Sequence, residues 1–366
     1  MKQQRINFGF FFITLILIVF GFVIFASASL GLLSREGGAT FSAVAAHQAL
    51  FGLLGGCIVG YILSRLDYRI LGKVAPYLFG FALFLTILTF IEPIGLELKG
   101  AHRWIVLGSF TFQPAELLKF ATIVMLASFF SSRNKEMGTF RIFLFFVAML
   151  VPPLGLLLLQ PDTDTALIMA GASTAAFFAA GGKFRHIFLL LATGLMLGVV
   201  LLFSRPYLMD RLTTFIHPEN DPLGTSYQIQ QSLIAIGSGE LLGRGFGQSV
   251  QKFSYLPEPI GDSIFAVAAE EFGFLGSSLL VILFLLFIAS GLHIAARSRD
   301  FFGGLLVTGL VILIGGQSFL NIAALLGLFP LSGMPLIFIS HGGTALLMAI
   351  AEVGIILSVS RKALSH

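Results

Sequence analysis

Charge is scarce in this sequence. Only 11% of its 366 residues are Asp, Glu, Lys or Arg, against 57% hydrophobic residues and 40 Phe, whereas soluble domains carry about 25% charged and 45–50% apolar residues. A chain so composed cannot cover a water-facing surface, which excludes the ordinary soluble classes. Cysteine is nearly absent: Cys57 is alone in an apolar run, so no intrachain disulfide is possible and cysteine usage is silent on redox compartment. Long tracts of one charge sign are missing too. The net charge of +4 comes from short basic clusters between apolar runs, which is a topology signal and not a nucleic-acid footprint. The weak ten-residue alternation of outer-membrane barrels does not occur, and there is no low-complexity linker, soluble domain or clear internal repeat.

What is present is a series of long apolar runs. A spanning helix needs about 20 such residues, and runs near 8–31, 46–64, 74–92, 114–131, 141–159, 165–181, 187–204, 263–295, 302–325 and 343–360 predict ten spans. The expectation is an all-α polytopic membrane protein with a single membrane domain over 1–366. Residues 26–28 read Ala-Ser-Ala, like a signal-peptide cleavage site. The apolar stretch from Phe8 to Phe25 nevertheless exceeds the roughly 7–15 residues of a signal sequence, so it is read as an uncleaved first span. The eighth run is long enough to tilt or project from the bilayer. With the N-terminus in the cytoplasm, 14 of 22 Lys and Arg fall in inner segments, seven fall outside, and Lys119 lies within a span. The positive-inside rule then puts both termini in the cytoplasm.

One connection is long: 205–262, between spans seven and eight, predicted to be a large structured extracytoplasmic loop. Within it "TSYQIQQSLIAIGS" predicts an amphipathic helix with a Ser/Thr cap. Tyr227, Ile229, Leu233, Ile234 and Ile236 form its apolar side, suited to lying on the membrane surface.

Ionisable groups in or beside spans are costly unless paired or facing water, so each is a functional candidate. Residues 99–120 hold Lys99, His102, Arg103 and the only Trp, then Gln113, Glu116 and Lys119. Glu116 and Lys119 are three apart on one helix face and can pair, and Trp104 suits an interface anchor. In "QPDTDTALIM", Thr163 or Asp164 can cap the following helix, and capping is the preferred reading of Asp164. The alternative has Asp162 and Asp164 hold a divalent cation together with a phosphate. Between 327 and 348, Pro330, Gly333, Pro335, Gly342 and Gly343 break the helix pattern, making either a plain hairpin or backbone that lines a cavity. Ser340 and His341 favour the cavity. The stretch "YLPEPIGDSIFAVAAEEFG" gathers Glu258, Asp262, Glu270 and Glu271. Asp262 has the type and place of an N-cap. That leaves Glu258 at the rim and two deeper glutamates that need partners within the bundle.

The strings "KGAHRWIVLGSFTFQPAELLKF", "QPDTDT", "GTSYQIQQSLIAIGSGELLGRGFG", "YLPEPIGDSIFAVAAEEFGFLG" and "FPLSGMPLIFISHGGTALLM" resemble the SEDS family, the FtsW, RodA and SpoVE proteins, over about residues 8–360. "KGAHRWI" and "AAEEFGFLG" look closer to the division member FtsW than to the elongation member RodA. The resemblance implies a peptidoglycan glycosyltransferase in the bacterial cytoplasmic membrane that polymerises lipid II on its outer face during cell division or elongation. It would work with a class B penicillin-binding protein and other divisome or elongasome membrane proteins, and with no nucleic acid. Against the family pattern "LPExHTDFIFA", Asp262 takes the aspartate position and Glu258 the glutamate, while Ile260 and Gly261 replace His and Thr. "QPDTDT" keeps Asp162 of "QPDLGT" and adds Asp164, and "SHGGT" replaces "SYGGS". On this resemblance Asp262 is the expected general base. Lys99, Arg103, Lys119 and Arg244 are expected to face the pyrophosphate, and Glu116, Glu258, Ser340 and His341 are further substrate-site candidates. Asp162 is the candidate ligand for a Mg or Mn ion. The competing readings are a lipid II flippase or transporter, and a non-catalytic scaffold for a penicillin-binding protein.

Overall fold

A computed structural model describes residues 6–34, 41–92, 94–98, 101–107, 110–219 and 226–363. The helices in chain order begin with α1 (Phe8–Ser29), α2 (Phe41–His47), α3 (Gly56–Arg65) and α4 (Arg69–Leu88). Three short strands follow, β1 (Gly95–Leu98), β2 (Ala101–Leu107) and β3 (Phe110–Phe112). Then come α5 (Pro114–Ser132), α6 (Phe140–Leu159), α7 (Thr163–Ala179) and α8 (Phe184–Ser204). The long connection carries α9 (Pro206–Ile216), α10 (Tyr227–Ser238) and α11 (Gln251–Ser254). The chain closes with α12 (Ile264–Ala296), α13 (Phe301–Leu325) and α14 (Gly343–Ala363).

The protein is an all-α, multi-pass membrane fold. Among the described residues nine helices are long and apolar enough to cross a bilayer, with α2 and α3 forming one span. The tenth expected span is present as α7 but has 17 residues, or about 26 Å at ~1.5 Å per residue, short of a ~30 Å hydrocarbon core. The centre of the bundle is α13, α14 and α5, apolar on nearly all sides. By contrast, α8 buries only His186 along its 21 residues. The loop before α5 holds a feature the sequence reading did not foresee, an antiparallel sheet in the order β1-β2-β3 with Ile105 opposite Gly95 and Phe112.

Two irregular helices position the candidate site. The eighth run does not tilt as one rod, because α12 breaks at Gly273, which has φ 64° and ψ −164°. The break releases the carbonyls of Glu270 and Glu271, which accept from the N–H groups of Arg244 and Gly245 at 3.0 Å each. Phe274 and Leu275 N–H donate to the carbonyls of Glu240 and Leu241 at 2.9 and 3.2 Å. The turn at 240–245 thus satisfies the backbone that the kink exposes, as apolar surroundings require. Only glycine fits here: a Cβ on Gly273 would lie 2.3 Å from Gly243 N, and one on Gly243 would lie 2.2 Å from Glu271 O. The second irregularity is a π-helical stretch, Gln48–Gly55, joining α2 to α3. It aims the buried Gln48 carboxamide at the chain before α14, where Nε2 donates to Ser340 O at 3.0 Å and Oε1 accepts from Gly342 N at 3.2 Å.

The helix expected at 227–236 forms, but without the expected cap bond and with a different inward face. Ser226 makes no side-chain cap hydrogen bond, and the buried residues are Ile229, Ser232 and Ala235. Leu233 and Ile234 stay 42% and 50% exposed. Small residues let α10 pack closely on α12, leaving the larger apolar side chains outward.

Candidate functional site

Asp262 stands at the end of a tight turn. Glu258 adopts φ 45°, and its carbonyl accepts from Gly261 N and Ser263 N at 3.0 and 3.3 Å. The N-cap of α12 is Ser263 and not Asp262; the turn ends one residue later than the acid-before-helix pattern suggests, so the Asp262 carboxylate is not consumed by capping. Three residues from two elements hold this turn from behind. Asn321 Nδ2 of α13 donates to Asp262 O at 2.8 Å and to Met334 O at 2.9 Å. Ser340 Oγ donates to Gly261 O at 2.7 Å, and His341 N–H donates to Ile260 O at 2.7 Å. The carboxylate itself is oriented by Gln228 of α10, whose Nε2 donates to Asp262 Oδ1 at 3.1 Å and to Ser263 Oγ at 3.0 Å.

Asp262 opens onto a cavity of about 330 Å³ lined by Tyr207, Asp210, Arg211, Thr214, Gln228, Leu331, Ser332 and Gly333. Among the described lining residues Arg211 is the cation. Its NH1 lies 3.0 Å from Asp164 Oδ2, and the same oxygen accepts from Gly333 N at 3.3 Å. Asp164 therefore does not cap α7. It fixes Arg211 on α9 and the broken chain before α14, tying two walls of the cavity together. Asp162 occupies the N-cap position of α7, again without a side-chain cap bond, and is buried.

The deeper glutamates have partners. Glu271 Oε1 lies 2.6 Å from Lys252 Nζ, both side chains at most 1% exposed, and Ser27 Oγ donates to Glu271 at 2.6–2.7 Å. Glu270 accepts from Ser249 Oγ at 2.6 Å and from Val250 N at 3.0 Å. It also faces Arg244 Nε at 3.5 Å. These contacts lash the end of the long connection to α12 and α1.

The remaining sequence candidates are scattered. Arg244 serves Glu270 and does not line the Asp262 cavity. Arg103 donates to the carbonyls of Gln160, at 3.3 Å, and Pro161, where the end of α6 leaves acceptors without helical donors. Glu116 and Lys119 pair at 2.9 Å, as their spacing predicts, and Lys119 also reaches Gln317 Oε1 at 2.7 Å. Both are buried within the bundle beside Glu352 of α14. Lys99 lies outside the described residues. Ser340 and His341 back the Asp262 turn and do not line the cavity. Burial pushes the His341 imidazole below its ordinary pKa, neighbouring His47 adds to this, and Glu258 opposes it. The His341 ring stacks on Phe25 at 6.1 Å between centroids.

Among the described residues no three carboxylate, imidazole or thiol groups gather to hold a metal ion, and Asp164 is already engaged by Arg211. Around Asp162 the described residues therefore do not by themselves form a three-ligand set for the expected Mg or Mn ion. Arg211, Asp210, Gln228 and Ser332 were missed by the sequence reading. A basic residue in an outer loop was visible for Arg211, but nothing local tied the others to Asp262.

Comparison with known proteins gives a consistent picture. The model of a family described as cell cycle protein, FtsW, RodA and SpoVE, matches residues 8–364. Stage V sporulation protein E of Bacillus subtilis (strain 168) is 36% identical over 95% of this chain and 95% of its own length. A probable peptidoglycan glycosyltransferase FtsW of Nitrosococcus halophilus (strain Nc4) is 38% identical over 93% of this chain and 88% of its own. Among solved structures, a chain of a peptidoglycan synthase complex, studied for structural coordination of polymerization and crosslinking, matches with a TM-score of 0.81 and 27% identity over 99% of both chains. The rod shape determining protein RodA of Thermus thermophilus matches with a TM-score of 0.71 and 26% identity, also over 99% of both.

Proposed function

The chain belongs to the FtsW, RodA and SpoVE family, and from that premise we propose that it is a peptidoglycan glycosyltransferase that polymerises lipid II, with Asp262 as general base. The observation that carries this reading is the cavity that Asp262 and Arg211 both line. Glycosyl transfer from a polyprenyl pyrophosphate needs opposite charges at its two ends, a base at the attacking hydroxyl and a cation at the departing pyrophosphate. Asp262 takes the proton of the acceptor's 4-hydroxyl as that oxygen bonds to the donor's anomeric carbon. The carbon–oxygen bond to the pyrophosphate breaks with its electron pair leaving on the phosphate, and attack opposite the leaving group inverts the anomeric centre. Arg211, held in place by Asp164, faces the departing charge with the planar donor fork that suits phosphate. Gln228 keeps Oδ1 of the base oriented.

The active end of the molecule is the outer face of the cytoplasmic membrane, with both termini inside. The excess of Lys and Arg in the opposite connections supports this. A class B penicillin-binding protein is the expected partner, supported by the likeness to a chain of a peptidoglycan synthase complex. A flippase would need a polar path through the membrane. The buried cluster of Lys119, Glu116 and Gln317 leans that way, but its groups are bonded to one another.

Asp262→Asn keeps the shape and hydrogen bonding of the side chain but removes the base. It should lower the rate of glycan polymerisation by at least about 10²-fold, with lipid II binding and partner assembly retained. Polymer formed at the wild-type rate by purified Asp262→Asn protein would sink the assignment.

A further inference from the structure

Ser332 lies in the broken stretch between α13 and α14, where the neighbouring polar groups are bonded to protein. Gly333 N donates to Asp164 at 3.3 Å, Met334 O accepts from Asn321 at 2.9 Å, Pro335 O accepts from Gln317 at 3.2 Å, and Leu336 N donates to Ser340 Oγ at 2.8 Å. Ser332 breaks this pattern. It is 5% exposed, its Oγ has no hydrogen-bond partner, and it lines the cavity that contains Asp262, Arg211 and Gln228. Folded proteins leave few buried hydroxyls unpaired, because the bonds lost to water are not recovered. An unpaired hydroxyl on a residue that lines a polar cavity is explained if a ligand completes it.

We propose that Ser332 is a substrate-contacting residue whose hydroxyl hydrogen-bonds a sugar unit seated in the Asp262 cavity. The proposal rests on the glycosyl-transfer reading above and deepens it. The cavity's volume of about 330 Å³ is at the small end of ligand pockets, which run from about 300 to 1,000 Å³. That is room for one sugar unit, not a disaccharide with its peptide. The lining suits a hexosamine: Asp262 and Asp210 accept from ring hydroxyls, and the Gln228 carboxamide and Tyr207 phenol both donate and accept. Ser332 can donate to an acetamido carbonyl or accept from a hydroxyl. Asp262 comes from the turn before α12, Arg211 from α9 and Ser332 from the stretch before α14, so a bound ring would be held from three separate elements. Such fixing of the acceptor is what brings one hydroxyl, and not its neighbours, to the base.

The test compares wild type, Ser332→Ala and Ser332→Thr in the purified full chain. Three quantities are measured: lipid II binding, KM and kcat for polymerisation with the co-purified transpeptidase partner, and the unfolding temperature without lipid II. Ser332→Ala should weaken lipid II binding and raise KM by about three- to tenfold, the worth of one neutral hydrogen bond, without a matching fall in kcat. Its unfolding temperature without lipid II should be unchanged or higher, because the deleted hydroxyl had no partner. Ser332→Thr, which keeps the hydroxyl, should restore binding. Unchanged binding and KM in Ser332→Ala would overturn the proposal, as would weakened binding that comes with a lowered unfolding temperature. If wild type binds lipid II but makes no polymer, and Ser332→Ala still weakens binding, the transfer reading falls and the contact stands. Polymer formation with an unchanged KM does the reverse.

Discussion

Replacing Glu271 alone should destabilise the protein more than replacing Lys252 and Glu271 together. Nζ and Oε1 are 2.6 Å apart, with neither side chain more than 1% exposed, so each charge depends on the other in place of water. Removing one partner of such a pair costs about 3–5 kcal/mol, because the survivor is left buried and uncompensated. The two directions differ. Lys252→Met leaves Glu271 with the Ser27 hydroxyl at 2.6–2.7 Å and Ser249 N–H at 3.4 Å, which points to the low end, about 3 kcal/mol. Glu271→Gln leaves a fully buried ammonium with Ser27 Oγ at 3.0 Å and no neutralising charge on it, which points to the high end, about 5 kcal/mol. At the ~2.1 cal/mol/K per residue of unfolding entropy typical of globular proteins, 366 residues give about 0.8 kcal/mol/K. The midpoints should therefore fall by about 4 °C and about 6 °C. The double variant keeps the shape and removes both charges, so it should fall by less than the larger single effect. Differential scanning calorimetry of the four proteins in lipid nanodiscs measures all three shifts. Additive losses in the double variant, or a Lys252→Met protein as stable as wild type, would refute the argument.

Gly273→Ala places a Cβ 2.3 Å from Gly243 N on a residue with φ 64°. The strain and the forced separation of the 240–245 turn from α12 together should cost about 2–4 kcal/mol, measured as a lowered unfolding temperature; an unchanged midpoint would mean the kink is not needed. Acid should weaken the fold through His341. Its folded pKa is lowered, so below the unfolded value of about 6.5 the unfolded chain binds more protons and stability falls as pH falls. The charged and titratable groups that face it are His47 and Glu258. His341→Tyr should flatten that part of the stability–pH curve, and a curve of unchanged slope would exclude His341 as its source.

Much of the frame was readable in the residues because membrane insertion is a local rule. About 20 apolar residues must form a helix wherever they occur, so span positions followed from hydropathy alone, with α7 the one that fell short in length. Glu116 and Lys119 were predictable as a pair because three residues is a helical neighbour distance. The site was less readable. Asp262 was singled out as the expected base, and the N-cap place it also suited is taken by Ser263. Asp164 was given a cap and instead holds Arg211. Arg244 was assigned to the substrate and instead faces Glu270. For Asp164 a short-range rule was applied and for Arg244 a resemblance, and the partner of each is far away in the chain.

By itself the sequence determined that this is a multi-pass helical membrane protein, that acids gather around the start of the long twelfth helix, and that its motifs resemble one family. Those properties depend on composition, period and residue order, which a linear string carries completely. Only the tertiary structure decided which charges neutralise each other and which face the cavity. Lys252 meets Glu271 and Ser27, Arg211 meets Asp164, and Ser332 comes to share a wall with Asp262. The physical reason is that charge pairing in an apolar medium is strong and depends on distance in space. Two unforeseen irregularities, the kink at Gly273 and the π-helical stretch at Gln48–Gly55, help set those distances.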